Sequence, residues 1–305
     1  MLQPASPWHA GEIAVQSRFG VAERMEQVGR VAVRPFMPDQ HRAFFAQLPF
    51  VLVGSADAKG QIWASLLAGP PGFVASPDPV SLAVAALPDP ADPLAQALRP
   101  GAGLGLLGIE LPTRRRNRAN GQITAMDEGG FTLEVEQSFG NCPKYIARRD
   151  YVDTGAASPR LAVQPVAGLG EAERRLIGAA HALFIASKPG EGQLPDVSHR
   201  GGRPGFVGLG EDGVLTVPEY VGNSFFNTLG NLTLDPRAGL LFPDFTTGDV
   251  LQLTGRAELD FDPAHAAALP GAQLLWRFHP TAGQWLRAAL PVRFAEPEAS
   301  PFSPG

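Results

Sequence analysis

Two stretches of this sequence repeat one another. "FVLVGSADAKGQIWASLLAGPPGFVASPDPVSLAV" in the first half of the chain is matched by "ALFIASKPGEGQLPDVSHRGGRPGFVGLGEDGVLTV" in the second, at a spacing of 132 to 134 residues. The match sets Ser55 against Ser187, Gly60 against Gly192, Ser65 against Ser198 and residues 69–74 against residues 202–207. It continues without a gap from residues 105–121, "GLLGIELPTRRRNRANG", onto residues 239–255, "GLLFPDFTTGDVLQLTG". A unit of roughly 80 residues is too long for a solenoid repeat and suits a small barrel. The economical reading is one domain duplicated, with residues 1–160 forming one half and residues 161–305 the other.

Within each half, apolar residues alternate over short runs such as "FVLVGS", "VSLAV", "GFTLEVE" and "VLQLTGRAEL". With 35 glycines and 30 prolines punctuating the chain, this pattern predicts short antiparallel strands joined by turns. The expected fold class is mainly β with a few helices (α+β), each half closing into a barrel of about six strands. Helices are expected over residues 39–47, 170–182 and 224–234, the second favoured by Glu171 and Glu173 near its N-terminus. Residues 155–170, with Pro159 and Pro165, read as the linker.

Bulk properties exclude several functions. A net charge of -5 and a pI near 5.7 give no general attraction to nucleic acid. The one basic run, "TRRRNR" at residues 113–118, has two readings: a phosphate-binding cluster or, put first, a solvated hairpin loop. The lone Cys142 cannot form an internal disulfide or, by itself, hold zinc or an iron–sulfur cluster. No apolar run approaches the roughly 20 residues of a membrane span. The N-terminus lacks the basic start and apolar centre of a secretory signal, so the cytoplasm is the expected compartment.

The stretch "GNSFFNTLGN", residues 222–231, spaces Asn223, Asn227 and Asn231 four apart, with Ser224 and Thr228 each one further on. On a helix these would share one face. Two readings stand: an N-cap followed by solvated amides, or a polar wall that holds an anionic ligand together with the helix N-terminal N–H groups. Upstream, "DVSHRGGRPGF" supplies Ser198, His199, Arg200 and Arg203, and the guanidinium fork is the natural partner of a phosphate. Downstream, Gln252 is either an outward-facing residue of an alternating strand or a donor aimed at a ring edge. The counterpart in the first half, "PDPADPLAQALRPGA", has no such series, so only the second half is equipped as a site. Phe225 and Phe226 point about 100° apart on a helix and read as packing residues.

Together "DVSHRGGRPGFV", "NSFFNTLGNLTLDPRAGLLF" and "GDVLQLTGRAEL" resemble the pyridoxamine 5'-phosphate oxidase-like proteins with an FMN-binding split barrel. "FGNCPKYI", residues 139–146, is similar to a block of their duplicated bacterial members. The resemblance implies two tandem split β-barrels forming an intramolecular pseudo-dimer with FMN in the groove between them. Association of two such chains into a homodimer stays open. It assigns the cofactor to Ser198, Arg200, Arg203, Asn223, Asn227, Thr228, Asn231 and Gln252, joined by Asn141 and Lys144 from the first half. Asn227 and Thr228 stand where the oxidase has a basic pair, so the phosphate charge falls to Arg200, Arg203 or Lys144, and the oxidase's substrate-binding C-terminal tail has no counterpart here. The implied function is an FMN-dependent oxidoreductase acting on an unidentified small-molecule substrate or reduced nicotinamide; a non-catalytic flavin- or haem-binding carrier or sensor is the alternative. His199 is the candidate proton-handling residue, and the absence of a Gly-rich dinucleotide fingerprint argues against a stably bound nicotinamide. "WHAGEIAVQ" is similar to a segment of the duplicated proteins; its His9 and Glu12, three apart on a helix, are either a surface pair or a cleft-facing proton donor. Cys142 is a small apolar residue or, with Lys144 nearby, a reactive thiol.

Overall fold

The computed structural model describes residues 6–153 and 163–304. The boundary expected between residues 160 and 161 lies outside them. Three helices lead the chain: α1 (Ala10–Arg18), α2 (Ala22–Ala32) and α3 (Asp39–Ala46). A first group of strands follows, β1 (Phe50–Ala56), β2 (Ile62–Ala68), β3 (Val74–Asp78) and β4 (Ser81–Val84). The short α4 (Pro93–Ala97) leads into β5 (Gly103–Glu110), β6 (Arg115–Asp127) and β7 (Gly130–Gly140). After β8 (Tyr151–Asp153) and β9 (Val163–Val166), α5 (Glu171–Ala179) opens the second half. Its strands are β10 (Ala182–Ser187), β11 (Asp196–Gly201), β12 (Gly208–Leu209) and β13 (Leu215–Tyr220), then α6 (Asn227–Leu234), β14 (Arg237–Pro243) and β15 (Val250–Asp260). The chain closes with α7 (Pro263–Ala267), β16 (Ala272–Leu286) and β17 (Arg293–Phe294), the last pairing with β8.

The two large sheets are antiparallel and share one strand order: β2-β1-β5-β6-β7-β4-β3 in the first, β11-β10-β14-β15-β16-β13-β12 in the second. Seven strands lie on each path, one more than expected. Register agrees residue by residue. Ser65 faces Val53 and Ser198 faces Ile185; Gly105 faces Gly54 and Gly239 faces Ala186. Both sheets carry a bulge at the same place, between Asn120 and Gly121 and between Thr254 and Gly255. A one-residue slip would turn every side chain to the wrong face, so the matched positions of the sequence repeat occupy matched positions in space.

Each half has its own apolar core, and a third core lies between them, where Phe50, Leu52, Ile62 and Ile109 meet Phe184, Val197, Leu241 and Val250. Strands β1 and β10 are therefore buried on both faces, which is why "FVLVGS" and "ALFIAS" run apolar without strict alternation. The halves approach so closely that a Cβ on Gly105 would meet the Pro195–Asp196 backbone at 2.6 Å, and one on Gly239 the Ile62–Trp63 backbone at the same distance.

Several expectations are corrected. Helix α6 starts at Asn227, not Ser224, because Ser224 and Phe226 hold φ of 64° and 58°, left-handed values that no helical turn includes. Asn223 is therefore not on the face shared by Asn227 and Asn231. Helix α5 ends at Ala179, and residues 163–166 of the expected linker form a strand on β16, with Pro165 tolerated at the sheet edge. "TRRRNR" is not a solvated loop: Arg115–Asp127 is strand β6, and Arg118 is 2% exposed. Among the described residues no helix is long and apolar enough to cross a membrane, and no cluster of three His, Cys, Asp or Glu could hold a metal.

Candidate functional site

Strand period two puts Arg116 and Arg118 on one face of β6, and that face looks across the inter-half contact toward β11. Arg118 donates through Nη1 to Asn227 Oδ1 (3.0 Å) and through Nη2 to Val197 O (3.0 Å) and to Ser198 Oγ, with Asp196 Oδ2 at 3.7 Å. The Phe139 ring lies 5.0 Å from its guanidinium carbon. Gln252, the repeat counterpart of Arg118, does the same from the other side: its Nε2 reaches Ala64 O (2.9 Å) and Ser65 Oγ (3.0 Å), the counterparts of Val197 O and Ser198 Oγ. One bridging geometry is thus charged at one end of the interface and neutral at the other. Arg116 donates to Cys142 O (2.5 Å), and Arg200 pairs with Glu219 at 2.8 Å.

These arginines line a recess of about 80 Å³ between the halves, together with Asn141, His199, Asn223 and Thr228. Five buried polar atoms of its lining have no partner: Arg116 Nε, Arg118 Nε, Asn141 Nδ2, His199 Nε2 and Thr228 Oγ1. Each such atom costs about 1–3 kcal/mol when left unmade. All five can donate, so the recess is built for a group rich in acceptor oxygens. Burial, then crowding by Arg118 and Arg200, disfavours the charge on Arg116, and an anion would relieve that. Burial, then the neighbouring charges of Arg116 and Arg200, hold the His199 pKa well below 6.5, so its ring is neutral. A cavity of this size takes a phosphate; enclosing a whole cofactor needs roughly 300–1,000 Å³.

Of the residues expected from sequence, the recess gathers Asn141, Ser198, His199, Arg200, Asn223, Asn227 and Thr228. Four lie elsewhere. Arg203 is exposed in a turn, Lys144 donates to Val221 O (3.2 Å), Gln252 faces the first half, and Asn231 points into a separate cleft. Asn223 Oδ1 accepts from Phe225 N (3.2 Å), which stabilises the left-handed turn rather than capping a helix. Phe225 packs on Trp8 and Phe139, and Phe226 stacks on Phe19.

The asparagine stripe is held by the N-terminal helix. His9 caps α1: its Nδ1 accepts from Gly11 N (3.1 Å), which leaves Nε2 to donate to Asn231 Oδ1 (2.8 Å). Asn231 Nδ2 donates to Ser187 Oγ (3.0 Å), and Asn227 Nδ2 donates to Glu12 Oε1 (2.5 Å). Helices α1 and α6 cross at Gly11 and Gly230, where either Cβ would overlap the other helix. Arg116, Arg118 and Asp196 are absent from the sequence-based set, and nothing in the sequence joins His9 and Glu12 to Asn231 and Asn227. The gapless match of Arg118 to Gln252 is the signal that places the basic run on a strand.

Burial raises the Glu12 carboxyl to about 7, against the opposing bonds from His9 N and Asn227; burial likewise raises Asp92, the α4 cap, to about 6. A carboxyl raised in the folded state stabilises fully below its unfolded pKa, and that stability is lost as pH rises through the folded value. Between pH 4.5 and pH 7 Glu12 should therefore cost about 3 kcal/mol, at roughly 1.4 kcal/mol per unit. Urea unfolding of Glu12→Gln across this range should show a flatter profile than the parent; parallel profiles would contradict the assignment.

No family model matches the chain, and no curated protein matches it. Among solved structures, HupZ of Group A Streptococcus overlays at 14% identity and a TM-score of 0.30, covering 36% of this chain and 88% of its own. A FAD-binding protein of Mesorhizobium loti overlays at 15% identity and 0.28, covering 41% and 97%. A Clostridium acetobutylicum protein related to general stress protein 26 of B. subtilis, of the pyridoxinephosphate oxidase family, overlays at 15% and 0.29, covering 41% and 92%.

At the opposite end of the interface, register puts Val250 where Arg116 stands, Leu66 where His199 stands and Leu67 where Arg200 stands. There the lining is mainly apolar, with Leu66, Leu67, Leu87 and Val292 around a cleft of about 750 Å³ that also includes Gln47, Asp89 and Glu110 but no arginine or lysine among the described residues.

Proposed function

We propose that the two sheets are tandem split barrels of the pyridoxamine 5'-phosphate oxidase-like kind and that the recess between them binds FMN by its phosphate. The supporting observation is the convergence of three arginines with five unpartnered buried donors. The motif resemblance supplies the choice of FMN among phosphorylated ligands. Arg116, Arg118, Thr228 and Asn141 hold the phosphate, Arg200 adds charge tempered by Glu219, and the flavin ring lies outside the small cavity. Bound flavin would supply electron acceptance. The chain is then an oxidoreductase acting on a small molecule or reduced nicotinamide, a reading favoured by Glu12, a buried acid titrating near neutrality and bonded to Asn227 at the recess wall. The second reading is a non-catalytic carrier, favoured by His199, whose neutral ring is sealed at 4% exposure.

Titration of flavin-free protein with FMN and with riboflavin tests the placement. Loss of one charge-assisted bond of about 1.5–3 kcal/mol predicts FMN binding roughly 10- to 100-fold weaker in Arg116→Met, with riboflavin unchanged. Equal affinities of the parent for FMN and riboflavin would remove the phosphate from the recess. Anaerobic NADH or NADPH should bleach the FMN complex of a reductase; a complex that neither reduces is a carrier.

A further inference from the structure

On the other side of Asn227 and Glu12 from the recess lies a second cleft, of about 390 Å³, walled by the N-terminal segment, by β6 and β7, and by the turn before β11. Among the described residues its lining includes three carboxylates, Glu12, Glu136 and Asp196, and no lysine or arginine. Two of its side chains are almost completely buried and carry an acceptor without a partner: Asp196 Oδ1, on a residue 5% exposed, and Asn120 Oδ1, on a residue 3% exposed. Asn120 commits its amide nitrogen to Gln137 Oε1 (3.2 Å), which fixes the oxygen as the free group. Arg118 approaches Asp196 through Oδ2, not through the orphaned oxygen. The chemistry is the reverse of the recess: acceptors and negative charge in place of donors and positive charge.

We propose that this cleft binds an aliphatic diamine or polyamine cation, one ammonium held by Asp196 Oδ1 and Asn120 Oδ1 and the second drawn to Glu136 at the exposed rim. An ammonium carries three donors and no acceptor, so it satisfies the orphaned oxygens without stranding a group of its own. The volume falls within the range of small-ligand sites. A bare metal ion is disfavoured, since no described cluster of His, Cys, Asp and Glu could coordinate one. Amines that also carry a phosphate or carboxylate are repelled by Asp196 and Glu136. The inference stands apart from the flavin reading, because none of its ligating atoms belongs to the recess.

Calorimetric titration of flavin-free protein with 1,4-diaminobutane tests it, with 1,4-butanediol, phosphoethanolamine and glutarate as comparisons. Saturable binding of the diamine alone is expected, weakened at least tenfold in Asn120→Leu and weakened with a shallower salt dependence in Glu136→Gln. Asp196→Asn should also weaken it; where that variant fails to fold, the Asn120 and Glu136 variants decide. Binding of butanediol as tight as the diamine, no saturable heat with the diamine, or unchanged affinity in Asn120→Leu would each overturn the assignment. The FMN titration of Arg116→Met reads the other site, so the two readings fail separately.

Discussion

Arg118→Met should lower the free energy of unfolding by about 3–5 kcal/mol, the cost of breaking a buried ion pair by removing one partner. The guanidinium is 2% exposed and serves Asn227, Val197, Ser198 and Asp196 at once. Methionine fills much of the volume but strands those acceptors and leaves Asp196 without its counter-charge. Arg118→Gln separates charge from hydrogen bonding, because glutamine at the matched position 252 already makes the equivalent bonds to Ala64 and Ser65. The Gln variant should keep more stability than Met and still bind phosphate-bearing ligands poorly. Urea denaturation of the three proteins measures the difference. A Met variant as stable as the parent would show that the charge contributes nothing to joining the halves.

Gly230→Val should detach the N-terminal helix. A Cβ there meets Glu12 N at 2.6 Å and Glu12 Cα at 2.7 Å, and backbone atoms cannot swing aside as a long side chain can. Overpacking of this kind costs about 1–3 kcal/mol, and the bonds from His9 to Asn231 and from Asn227 to Glu12 are lost with it. Limited proteolysis should then cut within residues 6–32 while the sheets stay intact. Gly178→Ala is the control: in helix α5, with open space around it, it should stabilise by about 0.5–1 kcal/mol. A Gly230→Val protein as protease-resistant as the parent would mean that α1 is not docked as described.

Much of the scaffold is legible because the repeat aligns residue by residue, and the register of both sheets follows that alignment down to the shared bulge. The basic run misleads because a cluster of charges usually marks solvent, and the local pattern of β6 cannot reveal a partner surface on the other half. The start of α6 is hidden because the left-handed residues Ser224 and Phe226 are not glycines and carry no sequence signal. Two of the three asparagines of the stripe serve α1: Asn227 meets Glu12, and Asn231 meets a histidine 222 positions away, contacts no local rule supplies. His9 itself is outside the usual Ser, Thr, Asp and Asn cap set, which obscures the helix it begins.

The contrast between the arginine-lined and the leucine-lined ends of the interface has a consequence for how such a chain can change. When two identical polypeptides pair about a two-fold axis, any substitution appears at both mouths, and neither can be tuned alone. Here position 116 can be basic while position 250 is aliphatic, so a mutation is tried once, at one mouth. A single strand of protein can thereby hold dissimilar guests at opposite ends of one seam.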